Sequence, residues 1–225
     1  MQFDKGIPGQ GMAERFKFWA KSNFPQAIIR FCLDSSAPQK TVLLTFDDGP
    51  VPGPTMEILD ILDLYDIKAL FFVVGVHARM APFVLKEIIE RGHTIGNHTH
   101  THEKGGNHFY GHWVNELETC QETVLRETGH EPEYFRPPYG KLSLTLFAAA
   151  VMRRLSIIKW SFDVGDFSFM KNSSSAHMAS NWVQNLQSHD IVLMHDKCTK
   201  TPHVLEMALP QLIDNGFRFD GLKYI

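Results

Sequence analysis

The feature that most constrains this chain is an alternation running from Thr41 to the C-terminus. Short apolar, β-branched runs take turns with segments whose apolar residues recur at helical spacing. TVLLTF at 41–46 reads as a strand buried on both faces. Residues 54–65 follow, with Ile58, Ile61, Leu62 and Tyr65 on one helical stripe. KALFFVVG, TIGN, YFRPP, LSIIKWSFDV, DIVLMHD and FRF supply the further strands. Between them, helices are predicted over 83–90, around Trp113, Leu117, Cys120 and Val124 up to Gly129, over 142–153, and around Ala179, Trp182, Val183 and Leu186. Thr201 and Pro202 open the last helix as N-cap and first-turn proline, with a kink expected at Pro210 before Gly216. Such alternation with short connections implies about seven parallel strands with crossover helices, in a barrel or a doubly wound sheet.

Composition sets the class. The chain has 225 residues, a size at which one α/β barrel fits as a single unit. It is 44% hydrophobic and 21% charged, the balance of a folded globular protein. Its formal charge of −3 argues against a nucleic-acid binder, which needs a basic surface. Cys32, Cys120 and Cys198 are odd in number and far apart, which speaks against a disulfide framework or a zinc ribbon. The longest apolar run, 146–152, is far short of the ~20 residues needed to span a bilayer. The N-terminus lacks the layout of a secretory signal. The expectation is therefore a cytoplasmic protein or the mature part of an exported one, with no transmembrane segment.

Residues 1–39 stand apart and read as an N-terminal extension packing on a domain at 40–225. Their aromatic stretch, with Phe16, Trp19 and Phe24 beside Lys17, Lys21 and Arg30, would also suit an interfacial helix, though docking on the chain's own domain is the simpler reading. Ser173 to Ser175 reads as a loop ending at a helix N-terminus.

The polar residues cluster where strands end. TVLLTF runs into Asp47-Asp48-Gly49-Pro50, TIGN into His98-Thr99-His100-Thr101-His102, and YF into Arg136-Pro137-Pro138-Tyr139. The fifth strand ends in Asp163-Val164-Gly165-Asp166 and the sixth in His195-Asp196. Parallel strands open all their C-termini on one face, so these clusters mark a site. His98 and His102 are four apart and can share one ion, with Asp47 or Asp48 completing a His₂Asp set of the catalytic kind. His100 competes as a third ligand only if the segment stays extended. The aspartate spared from the metal can serve as base, with Arg136 holding it ionised. His195 is a candidate general acid, its tautomer and charge set by Asp166. His93, His108, His112, His177, His189 and His203 read as surface or helix-edge residues. Cys198 has no partner in its stretch that would make it a nucleophile.

TFDDGP at 45–50, His98-Thr99-x-x-His102, Arg136-x-Pro138-Tyr139, Asp163-x-x-Asp166-Phe167 and Leu193-x-His195 resemble, in order and spacing, the motifs of the polysaccharide deacetylases, carbohydrate esterase family 4. The resemblance covers roughly 41–225. It implies a distorted (β/α) barrel and metal-dependent removal of N-acetyl, or sometimes O-acetyl, groups from sugar polymers. It implies Asp47 as base, Asp48, His98 and His102 as metal ligands, and Arg136 as partner of the base. Asp166 would support the acid His195, and the backbone N–H of Tyr139 would help bind the oxyanion. Leu193 would line the acetyl pocket, with Pro138, Tyr139 and Phe167 also meeting substrate. The fourth motif usually ends in tryptophan; Phe167 keeps an apolar wall and loses the indole N–H.

The mechanism so implied is attack of a metal-activated water on the acetamide carbonyl, Asp47 taking its proton and His195 protonating the leaving amine. One divalent ion is expected, zinc first, with cobalt, nickel or manganese also compatible. Three rivals compete. They are a non-haem iron oxygenase built on the same two histidines and carboxylate, a catalytically silent carbohydrate-binding protein on this fold, and a related hydrolase of non-sugar amides or esters.

Overall fold

The computed structural model describes residues 29–106, 108–167 and 173–225. Most of the 1–39 extension, including Phe16, Trp19 and Phe24, lies outside the described residues. The strands are β1 (Ile29–Arg30), β2 (Leu43–Asp47), β3 (Leu70–Val73), β4 (Thr94–Asn97), β5 (Tyr134–Phe135), β6 (Ser156–Ile158), β7 (Phe162–Asp163) and β8 (Ile191–His195). They form one sheet in the order β1-β6-β5-β4-β3-β2-β8-β7, with every neighbouring pair parallel. The helices are α1 (Pro54–Leu64), α2 (Gly75–Met80), α3 (Pro82–Glu90), α4 (Tyr110–Thr128), α5 (Leu144–Met152), α6 (Ser175–Asn185) and α7 (Thr201–Asp214). This is the expected α/β architecture, an incomplete parallel barrel with helices outside.

Side-chain alternation builds two layers, because successive strand residues point to opposite faces. Leu44, Phe46, Phe71, Val73, Val192 and Met194 point outward and pack with Ile58, Leu62, Leu85, Trp182, Leu205 and Leu209 of the helices. Leu43, Leu70, Phe72, Ile158 and Ile191 point the other way, into the barrel. A third cluster joins Trp113 and Leu117 of α4 to Phe147 of α5, over Phe135 and Ile157. Thr45, Asp47, Leu193 and His195 lie on the interior rows of β2 and β8.

Three expectations need correction. LSIIKWSFDV is not one strand. Its first part is β6 and its last part β7, near opposite ends of the ladder. Lys159 N–H donates to the Arg30 carbonyl and Ser161 N–H to the Ile191 carbonyl, so three residues carry the chain across the barrel's open side. FRF is not a strand either. Only Arg218 bridges Thr41, and the chain then turns at Gly221, where a Cβ would sit 2.7 Å from the Val42 carbonyl oxygen. Thr201 is the first residue of α7 rather than its cap, which is Lys200; Pro210 lies inside α7.

Other signals act as expected. Gly129 ends α4 in the left-handed conformation, at φ 74°. Ser174 caps α6 by accepting the His177 N–H. Helix α2 falls in a stretch with no helical period. Among the described residues no helix is long and apolar enough to cross a membrane.

Candidate active site

The site is built from turns that leave strand ends. Asp47 is the last residue of β2, and the next residue, Asp48, takes φ 81°, which swings its carboxylate away from the strand row. The backbone N–H of Asp48 donates to the Phe72 carbonyl at 3.2 Å, and its own carbonyl faces His77 Nδ1 at 2.7 Å. Both aspartates are buried, and each carboxylate has partners, as burial requires.

Asp48 Oδ1 lies 2.9 Å from His102 Nε2 and 3.4 Å from His98 Nε2. One donor atom from each residue falls within 4.8 Å of the other two. The two measured edges bracket the ~3.3 Å edge of a tetrahedron with bonds of ~2.0–2.1 Å, the size of a zinc site. His98 Nδ1 donates to the Arg136 carbonyl at 2.7 Å, which leaves Nε2 with its lone pair toward Asp48. These residues fit a divalent cation. Burial opposes ionisation of Asp48, but the His102 and His98 imidazoles beside it outweigh that and hold the carboxyl well below the usual range.

His100 is not in this set. The segment turns instead of staying extended, with Thr99 at φ 66° and His102 at φ 61°. The backbone N–H groups of His100 and Thr101 both donate to Glu116 Oε2, at 3.1 and 2.9 Å. That carboxylate on α4 shapes the turn and sends the His100 ring toward Gly75.

Asp47 Oδ1 accepts from Arg136 at 2.8 Å, and Oδ2 stands 3.7 Å from His98 Nε2. Arg136 is fully buried. It is anchored by Thr45 Oγ1 at 2.7 Å, the Ile158 carbonyl at 3.1 Å and the Lys159 carbonyl at 2.8 Å, with Phe72 4.2 Å beneath the guanidinium. Burial lowers its pKa while Asp47 acts to raise it. The arginine is locked in place by the strand-crossing segment 159–161 as much as by the aspartate.

On the opposite side, His195 ends β8 as the register partner of Asp47. Its Nδ1 lies 2.8 Å from Asp166 Oδ1, while Asp166 Oδ2 accepts the His195 N–H at 2.7 Å and the Thr201 hydroxyl at 2.6 Å. Burial works against a charged imidazole, yet Asp166, aided by Asp47 and Asp48, raises its pKa to about 9. Leu193 is buried two residues before His195 on the same row. The Phe167 ring is exposed, 5.1 Å from that of His195. Pro138 is buried in a short 3₁₀ turn, and Tyr139, at φ 55°, lays its exposed ring 4.8 Å from His102.

Sequence reasoning missed several neighbours. Lys197 Nζ sits 2.8 Å from Asp48 Oδ2 and 4.6 Å from the Phe167 ring centre. Its position two residues after His195 was the only available signal. Asp196, placed at the site by the strand-end pattern but given no role by it, is buried against Thr55 Oγ1 at 2.9 Å, and burial pushes its carboxyl up to about 7, with Asp48 and Asp47 adding to the effect. His93 is not a surface histidine. It is buried with Nδ1 accepting the Ala69 N–H at 3.1 Å, and burial, with Lys68 adding, pushes it down to about 4. Cys198 donates its thiol to the Asp166 carbonyl at 3.4 Å.

The family profile described as polysaccharide deacetylase matches residues 34–156, more than half of the chain. This chain belongs to the polysaccharide deacetylase family. A peptidoglycan-N-acetylglucosamine deacetylase of Bacillus cereus is 33% identical over 184 residues, covering 79% of this chain and 65% of that protein. A second one from the same organism is 32% identical over 186 residues, covering 80% of this chain and 85% of its own length. The crystal structure of the Bc1960 peptidoglycan N-acetylglucosamine deacetylase superposes with a TM-score of 0.80 at 29% identity, covering 89% of this chain and 92% of that one. The chain thus spans just under two thirds of one curated relative and most of another. These named relatives are deacetylases.

Proposed function

We propose that this chain removes acetyl groups from N-acetylglucosamine units of a polymer such as peptidoglycan, giving acetate and a free amine. The observation that carries the reading is a pairing across two adjacent strands. Asp47 and His195 are register partners on interior rows, one tied to Arg136 and the other to Asp166, with Asp48, His98 and His102 beside them.

In this reading Asp48, His98 and His102 hold one divalent ion, zinc first. When bound, such an ion supplies Lewis-acid polarisation of a carbonyl and lowers the pKa of water. Asp47 takes a proton from the attacking water. The ion pair with Arg136 orients the Asp47 carboxylate and leaves its Oδ2 on the His98 side. The backbone N–H of Tyr139 donates to the developing oxyanion, a contact of a kind worth about 3–4 kcal/mol in the transition state. His195, kept protonated by Asp166, gives its proton to the nitrogen as the C–N bond breaks. Its bond from Nδ1 to Asp166 leaves Nε2 for that transfer.

Leu193 lines the space for the acetyl methyl group. Tyr139 and Phe167 form the apolar rim on which a sugar ring rests, their exposure being what supports that role, and the buried Pro138 contributes from the turn beneath Tyr139. The domain carrying this chemistry is 40–225. We read residues 1–39 as a preceding extension, whose described part joins the same sheet through β1, which pairs with β6.

The test is acetate release from N-acetylglucosamine oligomers by the purified chain, before and after chelation, with zinc added back. Release that stops with chelator and returns with zinc is the expected result. No release from a protein that has taken up zinc refutes the proposal and moves the reading to a binding role or another acyl substrate.

A further inference from the structure

A second set of metal-ligating side chains lies outside the site described above. Glu103 Oε2 is 3.4 Å from His108 Nε2 and 3.1 Å from His112 Nε2, and the three atoms fall within 4.8 Å of one another. We propose that Glu103, His108 and His112 bind a second divalent ion of the zinc type, separate from the Asp48, His98 and His102 set.

Geometry supports a cation over a simple ion pair. The two measured edges again bracket the ~3.3 Å expected when ligands surround one ion at ~2.0–2.1 Å. The His108 and His112 rings stack with centroids 4.3 Å apart, 22° from parallel, both edge-on to Trp113. The Nε2 atom of His112 is buried and has no hydrogen-bond partner despite its closeness to Glu103. A cation between the three would use Glu103 Oε2 and the Nε2 lone pairs of both rings together. Neighbours orient the ligands, as a metal site needs. The Thr101 hydroxyl approaches Glu103 Oε1 at 3.4 Å, leaving Oε2 toward the histidines, and Thr145 Oγ1 holds the His108 carbonyl at 3.0 Å.

Position gives the site a role. Glu103 directly follows His102, and His112 lies in the first turn of α4, so an ion here fastens the β4–α4 connection to the helix it enters. Glu103 and His108 are on the surface, so the ion can reach the site from solvent.

The experiment counts bound zinc per chain by equilibrium dialysis of untagged protein at micromolar free zinc, followed by elemental analysis. Two ions are expected for the wild type. One is expected for the His108→Ala/His112→Ala double variant and one for Asp48→Ala, each having lost a different site. Glu103→Gln, which keeps shape and removes charge, guards against a variant that misfolds and should weaken the second ion at least tenfold. Cobalt bound to Asp48→Ala should give ligand-field absorption that disappears when His108 and His112 are also changed. A wild-type count of one that Asp48→Ala abolishes, or a second ion indifferent to Glu103, His108 and His112, overturns the proposal without touching the first site.

Discussion

Removing the charge of Asp166 is the perturbation whose size the structure fixes best. In the wild type, Asp166 and its fellow carboxylates hold His195 at about 9 against burial, from an ordinary 6.5. Asp166→Asn keeps the shape and drops the charge, so the imidazole should return to about 6.5 or below. At pH 8 a group with pKa 9 is roughly 90% protonated and one at 6.5 roughly 3%, a loss of about 30-fold in the acid form. At pH 6 the loss should be only about fourfold even if the variant's pKa falls to ~5.5. The assay is kcat/KM for acetate release across pH 5.5–9.5. The alkaline limb should move down by about two units or more, with the variant nearly rescued at low pH.

Stability should follow the same titration. A raised histidine pKa stabilises the fold fully below 6.5 and loses that contribution as pH rises through about 9. The pH-dependent gap between wild type and Asp166→Asn in urea unfolding should therefore be about 3 kcal/mol at pH 6 and vanish near pH 10. An equal loss of activity at pH 6 and pH 8, with the alkaline limb unmoved, refutes the protonated-acid role of His195.

Three further outcomes are expected. Asp47→Asn should abolish acetate release while one zinc stays bound at the Asp48 set, and wild-type turnover in that variant would remove Asp47 from the base role. His98→Ala and Asp48→Ala should lose that ion and the activity together, read by elemental analysis beside the assay; a full metal complement in either would break the ligand set. Arg136→Ala strands the Asp47 carboxylate inside the barrel and should cost about 3–5 kcal/mol in urea unfolding, a loss that Asp47→Asn in the same chain should partly restore.

What the sequence determined by itself is what short-range pattern encodes. The period of the apolar residues picked out β2, β3, β4 and β8 and most helices, because both faces of a parallel strand are buried and one stripe of a helix is. Parallel strands bring all their C-terminal ends to one face, so a polar residue at the end of an apolar run marks the site without coordinates. That logic, with the family resemblance, pointed to Asp47, Asp48, His98, His102, Arg136, Asp166 and His195. The failures share one cause. LSIIKWSFDV looks uniform along the chain, yet which strands flank each half depends on the closure of the barrel, and only tertiary structure breaks it at Lys159 to Ser161. The HTHTH run has no local signal for the turn that excludes His100, since that turn is made by Glu116, a carboxylate 16 residues away. His93 reads as polar until the residues packed over it are known. Lys197, Glu103, His108 and His112 are ordinary surface types in sequence. Tertiary structure decided their place, because electrostatic partners are chosen by distance in space and the chain records only distance along itself.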